Sequence, residues 1–212
     1  MANSMSKRSS KEKITRMVRI AVLIAIILLL NFTPIGFLRI GPVEITFLQI
    51  PVIIGAIMIG PAAGAFLGLV FGLLSLSQAP VSPLFAPVFS TDPVLVALVC
   101  IVPRVLMGWL TALLYKALSK SKVNSVVSYI ISGFTGSVLN TMLFIGGVIV
   151  VLGKFIEGTM ADLGLITEKT LTAFWVGVGL TNGIPEAIAT SIIVAAICKA
   201  LSVIDKQRIK KL

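Results

Sequence analysis

A guanidinium and a carboxylate stand deep within long apolar stretches of this chain. Arg104 follows Pro103 in a run from about Val94 to Leu118, and Glu186 follows Pro185 in a run from about Leu171 to Val203. A charge inside a bilayer-spanning segment costs roughly 2.5–3.5 kcal/mol on insertion scales unless a partner or water compensates, so each marks a candidate functional site. At about 1.5 Å per residue, Arg104 lies roughly 15 Å and Glu186 roughly 22 Å below the same end of their helices, a gap that two long side chains can close. Two roles fit. The pair could clamp two helices together, or one or both could face a water-filled cavity and hold a ligand. Buried ion pairs stabilise poorly, which favours the ligand role. Asn140 and Asn182 add amides in the same half of the molecule, and Gln78 joins them as a substrate-binding candidate at the head of a proline-rich segment. In Thr181-Asn182-Gly183-Ile184-Pro185-Glu186, Gly183 and Pro185 are expected to interrupt the helix, and a broken helix exposes backbone groups only where they line a cavity. These positions describe a small polar pocket.

Other chemistries are excluded by what is missing. The chain has no histidine, which removes His-ligated metals and Ser-His or Cys-His nucleophilic sites. No G-x-x-x-x-G-K-[ST], Gly-x-Ser-x-Gly or metal-ligand cluster occurs, so neither an enzyme nor a cofactor site is expected. Cys100 and Cys198 lie in separate apolar segments and are expected to be inert small hydrophobes. The chain is expected to bind something small and polar and to draw the energy for moving it from elsewhere.

The elements that must position these groups follow from composition. At 57% hydrophobic and 12% charged, with a mean hydropathy of +1.08, 212 residues cannot cover a water-soluble globule with polar surface. The apolar runs lack the alternation of barrel strands, so the fold class is an all-α integral membrane protein, a single domain over residues 1–212. Six spans are expected, at about 17–31, 45–59, 62–76, 94–118, 123–152 and 171–203. The second and third are short; the second must tilt, lie within the protein or line a cavity. The first is a retained helix rather than a signal peptide, because Asn31-Phe32-Thr33-Pro34 stands where a cleavage site would be wanted. Residues 1–11 form an arm expected to be disordered. Residues 77–93 hold Pro80, Pro83, Pro87 and Pro93, a density that argues against helix, yet Val81, Leu84, Phe85, Val88 and Phe89 are too apolar for a solvated loop. This segment is expected to fold over the outer face as a lid. Residues 154–170 form an exposed connection, and Gly133, Gly136, Gly146 and Gly147 are expected to let the fifth span bend.

Fourteen of the eighteen basic residues fall in the N-terminal arm, the segment around Lys116–Lys122 and the C-terminal tail, whereas Arg39, Lys154 and Lys169 fall opposite. Basic flanks stay cytoplasmic, so both termini are expected inside. The net charge of +10 is then explained by topology and anionic lipid rather than nucleic acid.

Two small-residue patterns remain. Gly60, Gly64, Gly68 and Gly72 recur every four residues, with Ala65 beside them, and suit close packing inside the bundle. Ala21 and Ala25 form a flat stripe on a bulky first helix, a docking face for a helix either within the chain or from a partner.

Taken whole, the chain resembles the substrate-binding S components of energy-coupling factor (ECF) transporters, and the likeness runs its full length. It rests on the basic arm, Ala21-x-x-x-Ala25, the short second helix ending Gly60-Pro61-Ala62-Ala63-Gly64, and the apolar loop after the third span. The most specific pieces are Ile50-Pro51-Val52-Ile53-Ile54-Gly55-Ala56 through Gly64, and Val102-Pro103-Arg104-Val105-Leu106-Met107-Gly108-Trp109, which look like the vitamin-importing group that includes the pantothenate subunit. The resemblance implies that Ala21 and Ala25 dock on a membrane-embedded T component, that two ATPases drive transport, and that the vitamin sits between the outer loops and helices four to six. Pantothenate fits a buried Arg104 flanked by Asn140 and Asn182, since it is a small anion with hydroxyl and amide groups. Glu186 would repel its carboxylate at the same end of a pocket but could accept from its hydroxyls. Riboflavin or folate would want stacking residues, and Trp109, Tyr115, Tyr129 and Trp175 lie mostly away. Pyridoxine stays open through Glu186, and so does a stand-alone carrier coupling Arg104 and Glu186 to protons.

Overall fold

The computed structural model describes residues 2–33, 36–40, 43–82, 85–153 and 168–210. The chain opens with α1 (Ala2–Phe32), pairs β1 (Phe37–Ile40) antiparallel with β2 (Val43–Thr46), and enters α2 (Gln49–Met58) and α3 (Pro61–Gln78). A 3₁₀ turn (Ala79–Val81) and α4 (Ala86–Thr91) lead to α5 (Pro93–Lys120) and α6 (Ser125–Gly147). After α6 the backbone widens into a π-helical turn (Val148–Leu152), and α7 (Glu168–Lys210) closes the described chain. Among the described residues, five segments, 12–32, 61–81, 93–120, 125–152 and 181–205, are long and apolar enough to cross a bilayer.

The second expected span differs most. Its first residues belong to the hairpin, and helix covers only the 10 residues of α2, about 15 Å of rise. Gln49 through Ile57 are all buried, so α2 lies within the protein. Too short to cross a bilayer, α2 packs on all sides against α1, α3, α5, α6 and α7. The hairpin adds strand to a fold expected to be wholly helical; its register sets Phe37 against Thr46 and Ile40 against Val43. Branched and aromatic residues on either side of Gly41-Pro42 favour extended backbone.

Three further expectations are corrected. The arm up to Lys11 continues α1 as helix, since extending a formed helix is cheap and residues 2–11 hold no glycine or proline. The proline-rich segment contains a 3₁₀ turn and α4, because Pro80, Pro87 and Pro93 stand in the first turns of these elements and of α5, where the missing N–H costs nothing. Pro185 does not break α7, which runs through it unbroken. Pro83 and Leu84 of the lid, and residues 154–167 of the connection before α7, lie outside the described residues.

Helix starts are locally encoded. Asp92 accepts from the amides of Val94 and Leu95 to cap α5, and Asn124 accepts from Val126 to cap α6. Gly60, with φ 115°, makes the reversal between α2 and α3 in a conformation that other residues rarely adopt.

Glycines then bring α3 and α5 backbone to backbone. A Cβ on Gly64 would stand 2.4 Å from the Gly108 carbonyl oxygen, and one on Gly68 would stand 2.2 Å from that of Arg104. In α6, a Cβ on Gly133 would meet the Ser191 backbone at 3.0 Å, and one on Gly136 would meet the side chains of Ile53 and Thr111 at 2.9 Å, so both glycines admit close neighbours. The main core gathers Ile27, Val52, Ile53, Leu67, Phe71, Met107 and Val194, and a second cluster joins Val88 of α4 to Val96, Val99, Val148 and Leu152. The lid segment is thereby packed onto α5 and the end of α6.

Candidate functional site: a buried arginine and a buried carboxylate

Arg104 is held by its own helix. Proline has no N–H, so Pro103 cannot donate to the carbonyl four residues back, that of Val99. The Arg104 side chain leans toward the helix N-terminus, as helical side chains do, and its Nη1 donates to the Val99 oxygen at 3.2 Å. The guanidinium lies over the rings of Phe144, 4.1 Å to the centroid, and Phe71, 5.4 Å. Arg104 is 7% exposed, and its Nε is buried without a hydrogen-bond partner. Phe144 in turn meets Phe85 of the lid segment with ring centroids 6.0 Å apart.

Glu186 sits elsewhere. Its Oε1 accepts from Gln49 Nε2 at 2.7 Å, and the same nitrogen reaches Ser137 Oγ at 2.8 Å and Thr190 Oγ1 at 3.1 Å. An amide nitrogen carries two hydrogens, so three acceptors share them. Arg104 and Glu186 form no ion pair: among the described residues the one salt bridge joins Arg19 to Asp205, between α1 and α7.

The sixth helix bridges the two sites. Ser137 touches the Glu186 node, Phe144 covers Arg104, and seven residues of helix place them about 10 Å apart along the axis. Asn140 lies between them, buried, with its Oδ1 unpartnered. Asn182 is one helical turn before Glu186 and so shares its face; it is partly buried beside the Thr181 hydroxyl. Arg104, Asn140, Asn182 and Glu186 thus fall in one band of α5, α6 and α7. Gln78 is placed apart, its Nε2 donating to Asn31 Oδ1 at 2.6 Å and tying α3 to α1. Gln49, wholly buried, is the site residue that sequence reasoning missed; the signal was a lone amide at the head of an apolar run. Tyr115 and Tyr129 stack on each other, 5.7 Å between centroids, and Trp109 is exposed, so neither offers a platform here. The Trp175 side chain lies outside the described residues. Cys100 and Cys198 are both buried and free.

Arg104 Nε and Asn140 Oδ1 remain in this band as buried polar atoms without a partner among the described residues. Away from it, α1 is largely uncovered, and Ala21 and Ala25 are both exposed.

Long apolar helices around a buried polar band define a multi-pass membrane protein that binds a polar solute. The chain belongs to the family described as ECF transporter, substrate-specific component, whose model matches residues 15–198. Among its relatives is a pantothenic acid transporter of Lactococcus lactis subsp. cremoris, strain MG1363, 29% identical over 195 residues that cover 84% of this chain and 95% of the relative. A pantothenate transporter of Leuconostoc mesenteroides subsp. mesenteroides, strain ATCC 8293, is also 29% identical, over 198 residues covering 91% of this chain and 94% of that protein. The protein is therefore a prokaryotic membrane transport subunit.

Proposed function

We propose that this chain is the pantothenate-binding subunit of an ECF importer and has no catalytic activity of its own. One observation carries the reading: a buried guanidinium that, among the described residues, has no acidic partner and an unsatisfied Nε, at the top of a polar band about 10 Å long. Unpaired buried charge is costly, and a ligand carboxylate relieves it with charge-assisted bonds. Pantothenate carries a carboxylate at one end, an amide in the middle and hydroxyls at the other, and spans about 10 Å when extended by ordinary covalent lengths. In this assignment Arg104 takes the carboxylate, Asn140 the amide, and Asn182 and Glu186 the hydroxyls. The two relatives' names support the ligand.

Family membership supports partnership with a T component and two ATPases, and the exposed Ala21 and Ala25 offer that partner a flat face on α1. Basic residues cluster toward the two chain ends, and the Arg19–Asp205 pair joins α1 and α7 near those ends; both support cytoplasmic termini. The chain then enters the membrane six times, with α2 as a buried half-length segment and the hairpin and lid outside. A thermal-shift screen of purified protein against water-soluble vitamins tests the ligand. Pantothenate should raise the melting temperature, and a shift by pyridoxine alone would replace it.

A further inference from the structure

Resting on the assignment of Arg104 to the ligand carboxylate, we propose that Pro103 is a positioning residue and sets the preference for a carboxylate over a neutral group. A helical residue other than proline would donate its N–H to the Val99 carbonyl, leaving that oxygen engaged. Pro103 frees it, and Arg104 Nη1 takes it at 3.2 Å. A guanidinium is planar, and Nη1 lies on the opposite side from the edge formed by Nε and Nη2. Anchoring Nη1 therefore turns that edge away from its own helix. Nε on that edge is the atom left buried and unpartnered. Phe71 and Phe144 flank the group, their ring centroids 5.4 Å and 4.1 Å from its central carbon. The outcome is a fork fixed in orientation before ligand arrives, suited to two parallel bonds to one carboxylate.

The test uses the purified full chain, titrated with pantothenate and with its alcohol analogue pantothenol. Pro103→Ala restores the N–H, which competes for the Val99 carbonyl and releases Nη1. Pantothenate affinity should fall about tenfold while pantothenol affinity stays at the wild-type value. The melting temperature should be equal or higher, because a helical hydrogen bond is gained. Unchanged pantothenate affinity, an equal loss for both ligands, or loss of folded protein would each overturn the proposal. Arg104→Met is measured alongside and should abolish the preference for acid over alcohol. If it keeps that preference, the assignment of Arg104 itself fails; if it loses it while Pro103→Ala does not, only the role of Pro103 fails.

Discussion

Gly68→Ala should loosen the bundle and weaken ligand binding together, although Gly68 touches no candidate ligand atom. The added Cβ would stand 2.2 Å from the backbone oxygen of Arg104, whereas ordinary contact begins at 3.4 Å, so α3 and α5 must separate by about 1.2 Å at that point. Backbone cannot swing aside as a flexible side chain can. Overpacking of this kind costs roughly 1–3 kcal/mol, partly offset by the roughly 1 kcal/mol that alanine gains over glycine in a helix interior. The same displacement shifts Arg104 relative to Phe144 and Asn140 on α6. Losing about half of a charged hydrogen bond worth roughly 1.5–3 kcal/mol weakens pantothenate binding about 3- to 12-fold. The assay pairs thermal unfolding in detergent with equilibrium titration. Gly146→Ala is the control, since nothing lies within 4 Å of its added Cβ. Equal melting temperature and affinity for Gly68→Ala and wild type would refute the argument that this backbone contact places the arginine.

Further outcomes are expected. Ala21→Trp or Ala25→Trp should leave pantothenate binding intact in the isolated chain and abolish uptake in cells carrying the ECF partners; normal uptake by both variants would mean that the stripe docks nothing. Gln49→Leu strips Glu186, Ser137 and Thr190 of a shared donor and should destabilise by roughly 1–3 kcal/mol, read as a lower melting temperature. Arg19→Ala removes a pair whose side chains are 37% and 33% exposed; stability should change by only about 0–1 kcal/mol, and a larger drop in melting temperature would count against that ranking. The lid segment should gain protection from hydrogen exchange when ligand binds, because Phe85 reaches Arg104 through Phe144; equal protection with and without ligand would contradict that coupling.

What the sequence revealed followed from local signals. Hydropathy and basic flanks are properties of contiguous segments, so the long helices could be read directly, and the four-residue spacing of Gly64, Gly68 and Gly72 announced a close helix contact. The depth of Arg104 followed from counting along one helix. Long-range partners carry no such mark: Gln49 meets Ser137, Glu186 and Thr190 across 88 to 141 positions of sequence. Gln78 was a ligand candidate in the sequence, and packing sets it against Asn31. Prolines misled where neighbours override propensity. Pro185 sits within a helix held by tertiary contacts, and Pro80, Pro87 and Pro93 occupy first turns, where they start helices rather than stop them. The role of Pro103 was in principle legible, since proline, a carbonyl four residues earlier and an arginine one residue later suffice to suggest it.

The central claim is that Arg104 receives the carboxylate of pantothenate. Equilibrium titration of the purified protein with pantothenate, wild type beside Arg104→Met, tests it most directly. The account predicts saturable binding of one pantothenate per chain and a loss of roughly 2–5 kcal/mol on removing the guanidinium, about 30-fold to several thousandfold in affinity. Full-affinity binding by a folded Arg104→Met variant, or no pantothenate binding by the wild type, would contradict it.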